Sequence, residues 1–476
     1  MRKRRKFKLV HDLVALLGGQ LLSKLVGFAA FVYLARTLDA GAYGAVEYAG
    51  GLAVVFGMAI EWGLGPIGVR ALAADPRRLP SLAALIPTAR LGLTLAAIPL
   101  MGLSVTWSGA DAATTELTWL FALAMLALPW KQDWLLQGVE MMTAAALAPL
   151  LRMAAFAGAV MLLVHSSQDL VWVGAAEILS AVLFAAYFLL VQQFWVAPIE
   201  VRFAFPELWR LLREGFSVGS ANMIWVLLQY APLILLANLV GGSETGWFAA
   251  AHRVVVSLLA LSWIYHFNLY PTVARRLAQG MAVLRPLMSA SFRVVAWGAV
   301  WSALLLMLLA APLLSWAFGP AYLAAEPAFA VLAWVLPVTL LSGHARGALL
   351  AAGQQGCVLV AHIAGLVVLV IGGIPLIEML HGLGAATAML VAALAVWAVS
   401  HRYAALRLGP LTPLSAVVPP VALALVMVLL APRLATDPLL AAALAATAYP
   451  LCGFLLDRRL LADIHRLADA KSDPHP

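Results

Sequence analysis

The chain has 476 residues, 64% of them hydrophobic and 11% charged, with a mean hydropathy of +0.96. Soluble domains carry about a quarter charged residues, so the composition excludes a soluble enzyme or binding domain and defines a polytopic membrane protein. A net charge of +8 and a pI of about 9.7 do not indicate a nucleic-acid partner, because the basic residues are scattered over short segments between apolar runs and form no single patch.

The basic start MRKRRKFK leads into an apolar run too long for a signal-peptide core and followed at once by a second run. It is expected to be retained as the first span and to act as a topology signal. A hydrocarbon core of about 30 Å takes roughly 20 helical residues. Apolar runs near 12–36, 43–66, 83–107, 117–137, 144–165, 170–194 and 216–240 predict seven spans. Runs near 246–273, 286–316, 326–352, 357–379, 384–405, 413–431 and 438–456 predict seven more. With the N-terminus inside, the loop Lys and Arg residues, from Arg70, Arg77 and Arg78 to Arg458, Arg459 and Arg466, fall on the inner side, and Arg36 and Arg433 alone fall outside. The positive-inside rule is thus obeyed through all fourteen spans, with both termini cytoplasmic.

The fold class is all-α: two pseudo-symmetric six-helix bundles, 1–200 and 201–410, around a central cavity, followed by two helices and a tail at 411–476. The basic stretch from Trp195 to Gly215 reads as the linker between halves. Shifting the chain by 202 residues lays LARTLDAGAYGAVEYA (Leu34 to Ala49) on LANLVGGSETGWFAAA (Leu236 to Ala251), matching Gly44 with Gly246 at the same corner of each half. An even number of spans per half makes such a repeat parallel. No loop exceeds about 20 residues, too few for a catalytic domain. There is no GxxxxGK[ST] run for ATP. Cys357 and Cys452 show no metal-ligand spacing, so neither enzyme activity nor a cofactor is expected.

Four stretches resemble the Wzx-type lipid-linked oligosaccharide flippases of the multidrug, oligosaccharidyl-lipid and polysaccharide exporter superfamily. They are the hairpin from LARTLDAGAYG to Arg70, DWLLQGVEMM from Asp133 to Met142, GWFAAAHRVV from Gly246 to Val255, and FGPAYLAAEPAFAVLAWVLP from Phe318 to Pro337. The seventh span departs from the family in carrying Gln229, Tyr230 and Pro232 but no charge. The resemblance implies a transporter in the bacterial inner membrane that flips an undecaprenyl-diphosphate-linked oligosaccharide by alternating access. Membrane lipids, H+ or Na+, and other polysaccharide assembly proteins are the implied partners. A lipid II flippase or an ion-coupled drug antiporter of the same superfamily is the alternative, and a membrane glycosyltransferase or polymerase a more distant one.

Six basic residues fall within spans: Lys24, Arg90, Arg152, Arg253, Arg293 and Arg346. Such residues either line a cavity or snorkel to an interface. Lys24, near mid-span, and Arg253 are expected in the cavity. Arg90, Arg152 and Arg293, two turns deep, are divided between cavity and interface, and Arg346 is expected at the interface. Cations in a cavity would grip phosphate oxygens. Glu61, Glu177 and Glu47 are candidates for ion coupling, or salt-bridge partners of neighbouring cations. His252, His266, His344 and His362 can titrate, although a lone histidine in an apolar helix is more often packed.

Overall fold

The computed structural model describes residues 2–472. Met1 and residues 473–476 lie outside the described residues, as do the side chains of residues 2–17, 432 and 468–472, and with them the side chains of the basic start and Lys471. Among the described residues there are helices and no strands, as a bilayer demands of a chain that must satisfy its backbone hydrogen bonds internally.

Contacts divide the chain into two compact units, Met1–Gly246 and Trp247–Pro476. The first holds α1 (Arg2–Thr37), α2 (Ala40–Glu61), α3 (Leu64–Ala74), α4 (Leu79–Trp107), α5 (Ala112–Ala124), α6 (Asp133–Gly138), α7 (Met142–Leu163), α8 (Leu170–Trp195), α9 (Phe205–Leu239) and the start of α10 (Gly242–Gln279). The second holds the rest of α10, then α11 (Met281–Leu308), α12 (Ala310–Ala317), α13 (Glu326–Leu332), α14 (Val335–Ala351), α15 (Gln355–Leu408), α16 (Val418–Leu434), α17 (Pro438–Leu456) and α18 (Arg459–Ser472). The seventh span, α9, packs on α2, α3 and α4, so the division by contact falls at 246/247 where the sequence suggests 200/201. The helix pair α16–α17 packs on α11 within the second unit.

Thirteen helical segments among the described residues are long and apolar enough to cross a membrane. The fourteenth expected span is inside α15, whose 54 residues would make a rod of about 80 Å. His381 breaks it with φ 51° and ψ −124°. The chain reverses there: a Cβ on Gly373 would lie 3.1 Å from that of Ala388, and one on Gly384 would lie 1.9 Å from the Leu376 carbonyl oxygen. Two antiparallel spans, 355–380 and 382–408, meet at that turn.

The core of the first unit gathers Leu64, Ile67, Leu82, Ile86, Trp134, Leu135 and Leu211 from four helices. That of the second gathers Trp297, Val300, Leu304, Ala424, Ala445, Tyr449 and Leu460. Small residues bring α1 onto α7, where a Cβ on Gly19 would meet the Ala146 carbonyl oxygen at 2.9 Å, the close approach on which membrane helix packing depends. Trp107, Trp195 and Trp316 face outward, as interface anchors do. Trp62 does otherwise. It takes a left-handed φ of 46° between α2 and α3, and its Nε1 donates to the Leu212 carbonyl at 2.9 Å on α9. Gly215 and Gly219 of α9 admit it, since a Cβ at Gly215 would lie 2.5 Å from the Trp62 carbonyl oxygen.

Candidate functional site

The break at Trp62 and Gly63 ends α2 immediately after Glu61 and aims that carboxylate at α4. Arg90 Nη2 donates to Glu61 Oε1 at 2.6 Å, and Arg90 Nη1 donates to the Lys131 carbonyl at 2.5 Å. Lys131 Nζ lies 3.7 Å from Glu61 Oε2 and 3.5 Å from Asp133 Oδ2. Two cations and two anions therefore close a neutral cluster around an arginine with no exposed side-chain surface. The glycines of GLGPIGVR make room for it: a Cβ on Gly65 would lie 2.7 Å from Glu61 Oε1, and one on Gly68 would lie 2.3 Å from the Trp134 ring. Gln132, fully buried, keeps both amide atoms without a partner beside this cluster in sequence. Lys131 and Asp133 escape a sequence reading because they look like loop charges; their flanking of the buried Gln132–Trp134 segment is the available signal.

Arg152 on α7 pairs with Glu177 on α8, and its guanidinium lies 5.7 Å from the centre of the Phe184 ring. Glu47 is buried on α2 and accepts from the Tyr43 hydroxyl at 2.6 Å. Lys24 stands apart. Its α1 neighbour Ser23 turns inward and donates to the Pro149 carbonyl at 2.9 Å, whereas Lys24 lies on the exposed side of α1 with Leu21, Leu22 and Leu25. Among the described residues no carboxylate pairs with it.

In the second unit Arg253 is half-buried on α10, and its carbonyl accepts from the Ser257 hydroxyl at 2.7 Å. Arg293 on α11 is engaged with the tail: Nη1 donates to Asp457 Oδ2 at 3.1 Å and Nε to Asp463 Oδ2 at 3.0 Å. Trp297 Nε1 adds a bond to Asp457 Oδ2 at 3.2 Å. Burial opposes the charge on Asp457, but the bonds from Arg293 and Trp297 outweigh it and hold this carboxyl below the usual range. Arg293 thereby fastens α18, an amphipathic helix, to α11. Tyr265, Ser291, His266 and His344 form a further polar group between α10, α11 and α14, with the Ser291 hydroxyl 2.9 Å from His344 Nε2.

Of the candidate cations, the structure thus gives carboxylates to Arg90, Arg152 and Arg293. The fold is shared with solved transporters of the multidrug, oligosaccharidyl-lipid and polysaccharide exporter (MOP) superfamily. It is similar to a lipid II flippase, MurJ, in an inward closed conformation, with a TM-score of 0.69 at 11% identity over 93% of this chain and 99% of that one. It is also similar to a multidrug resistance MATE family transporter in an inward-facing conformation, with a TM-score of 0.63 at 15% identity over 83% of this chain and 98% of that one. A transporter of this superfamily from Pyrococcus furiosus aligns with a TM-score of 0.53 at 16% identity over 84% of this chain and 95% of that one. The chain belongs to the polysaccharide biosynthesis protein family, whose model matches residues 9–277. That match takes in three of the four resembling stretches, and FGPAYLAAEPAFAVLAWVLP lies beyond it. No curated protein sequence matches the chain.

Proposed function

We propose that the protein is a flippase that carries an undecaprenyl-diphosphate-linked oligosaccharide from the cytoplasmic to the outer leaflet of the bacterial inner membrane, for cell-surface polysaccharide assembly. Family membership supplies the class of product, and one observation supplies the chemistry: Lys24 stands mid-span, exposed and without a carboxylate among the described residues. An uncompensated charge at that depth is costly against lipid. It is stabilised where a water-filled cavity or an anionic ligand meets it. In this reading Lys24 and Arg253 are cations that meet the anionic head, the prenyl tail stays in hydrocarbon, and only the charged head and glycan cross. Arg90, Arg152 and Arg293 hold the walls through their acids. Exchange of H+ or Na+ at Glu61 or Glu177 would break an arginine pair, and at Glu47 it would break the bond to Tyr43, so ion binding there would loosen helix contacts.

Proteoliposomes loaded with a fluorescent lipid-linked oligosaccharide test the reading. Wild-type protein is expected to move the glycan across the bilayer, Lys24→Ala to slow it at least about tenfold, equivalent to about 1.4 kcal/mol, and Lys24→Arg to retain it. Movement of drugs with no movement of any lipid-linked glycan overturns the proposal. A second reading, transport of lipid II, is favoured by the extent of the fold likeness to MurJ, and a lipid II arm in the same assay separates the two.

A further inference from the structure

Arg346 lies five residues before the end of α14, where an arginine is expected to snorkel to the nearby interface. Its guanidinium turns the other way. Nη2 donates to the carbonyl of Thr339 at 3.4 Å, seven residues earlier and about 10 Å further into the span. Nη1 lies 3.2 Å from Nε2 of His362 on α15. Helical side chains slope toward the N-terminus, which here leads away from the nearer helix end. Among the described residues no carboxylate reaches Arg346, and its Nε is buried without a partner. Arg90, Arg152 and Arg293 each meet an acid; this cation meets a neutral imidazole and a carbonyl.

Its surroundings are polar. Thr339, Ser342, Gly343 and Arg346 share one face of α14 at helical spacing. Ser342 is buried with its hydroxyl unpartnered. The His266 ring from α10 lies directly on Gly343, where a Cβ would fall 2.2 Å from Cε1. His266 Nδ1 lies 2.7 Å from the Ser262 carbonyl, which can only accept, so Nδ1 carries the hydrogen. Nε2 is left as a buried lone pair with no donor. The polar and titratable groups brought together here are Tyr265 and His266 from α10, Ser291 from α11, His344 and Arg346 from α14, and His362 from α15. No aspartate or glutamate is bonded to any of them among the described residues.

We propose that Arg346, His362 and His266 form an anion-binding site within the second unit that takes a phosphate group together with a proton. Guanidinium donors grip phosphate oxygens through paired hydrogen bonds. His362 Nε2 now accepts from Arg346, and His266 Nε2 holds a lone pair; a proton taken from solution turns either one into a donor to the same oxyanion. The anion neutralises the arginine and the added imidazolium, so binding and proton uptake favour each other. Affinity therefore rises as pH falls. The site rests on the flippase reading only for the carrier of the phosphate, a prenyl diphosphate.

Calorimetric titration of the purified full chain carrying Lys24→Ala and Arg253→Ala, which together remove the cations assigned to the other site, tests this. Farnesyl diphosphate and inorganic pyrophosphate are the probes, each at about pH 6 and pH 8. Binding of both marks a site for the phosphate group itself, and binding of farnesyl diphosphate alone marks a lipid-linked source; either supports the proposal if it is about tenfold tighter at the lower pH. Arg346→Gln is expected to weaken binding at least tenfold and Arg346→Lys less. His362→Gln should keep binding at the higher pH and lose most of the gain at the lower. Failure of both probes to bind overturns the proposal, as does unchanged binding in a folded Arg346→Gln protein. Should Arg346→Gln not fold, a pH gain undiminished in both His362→Gln and His266→Gln overturns it. Binding without glycan transport in wild type sinks the flippase reading alone, and transport without Arg346-dependent binding sinks this site alone.

Discussion

Arg90 shows what a charge needs in order to sit inside a bilayer. Its side chain has no exposed surface, and Glu61, Lys131 and Asp133 complete its charge balance. Removing one member of a buried pair leaves the other uncompensated, typically at about 3–5 kcal/mol, whereas replacing both by apolar or neutral groups of similar volume is often tolerated. Arg90→Ala is therefore expected to lower the melting midpoint in detergent sharply. The double substitution Arg90→Met with Glu61→Gln should recover most of that loss. Equal melting of the single and double variants would mean that the pair is not coupled. The sequence shows that Arg90, Arg152 and Arg293 lie within spans and that Glu61 and Glu177 could answer them. It does not show the pairing, because facing requires a rotation about each helix that hydropathy does not encode. The acids that meet Arg293 come from Asp457 and Asp463, and the helix bearing Asp463 is too polar to stand out as a span. Arg346 misleads for the converse reason: distance to the helix end suggests an interface, while the slope of helical side chains carries its head inward.

At the scale of elements, the corner between α1 and α2 repays its early prominence in the chain. Asp39 caps α2 by accepting from the Ala42 N–H at 2.9 Å, and its own N–H donates to Ser167 Oγ at 2.8 Å. The repeat pairs Gly44 with Gly246, and within the first unit these two glycines meet. A Cβ on Gly246 would lie 1.8 Å from the Ala40 carbonyl oxygen, and one on Gly44 would lie 2.7 Å from the Gly246 nitrogen. Periodicity reveals matching glycines, but only the packed helices give the reason, which is an approach of backbone to backbone. Gly246→Ala must push one helix away, and overpacking of this kind costs about 1–3 kcal/mol. The expected result is a lower melting midpoint, with Gly298→Ala as the control, because a Cβ there meets nothing within 4 Å and alanine favours the helix by up to about 1 kcal/mol. Equal behaviour of the two variants would remove the close approach as a cause. The break between α2 and α3 was illegible for a different reason. Gly63 is an ordinary signal for a left-handed residue, but Trp62 is not, and its conformation is imposed by the docking of its indole against Gly215 and Gly219.

Across the whole molecule, the number and order of spans were readable because lipid leaves a chain few options: each segment of about 20 apolar residues must close its own hydrogen bonds as a helix. Which helices keep company was not readable. The seventh span resembles the start of a second half in sequence, yet its glycines fit it to Trp62 and so to the first unit. The sharpest remaining consequence of the architecture lies in α15. If its 54 residues are two spans joined at His381, then residues 355 and 410 lie on one side of the membrane and residue 381 on the other. A single long helix would instead put 355 and 410 on opposite sides and invert every segment that follows. With Cys357 and Cys452 replaced by alanine, Gln355→Cys, His381→Cys and Pro410→Cys, each introduced alone, should sort by labelling in right-side-out cells with a membrane-impermeant maleimide. Position 381 is expected to react in intact cells, and positions 355 and 410 only after permeabilisation. Because Arg402 and Arg407 lie just before Pro410, this outcome also satisfies the preference of cations for the cytoplasmic side. Labelling of 355 and 410 from opposite sides would reduce the spans to thirteen and place α18, with the acids that hold Arg293, on the outer face.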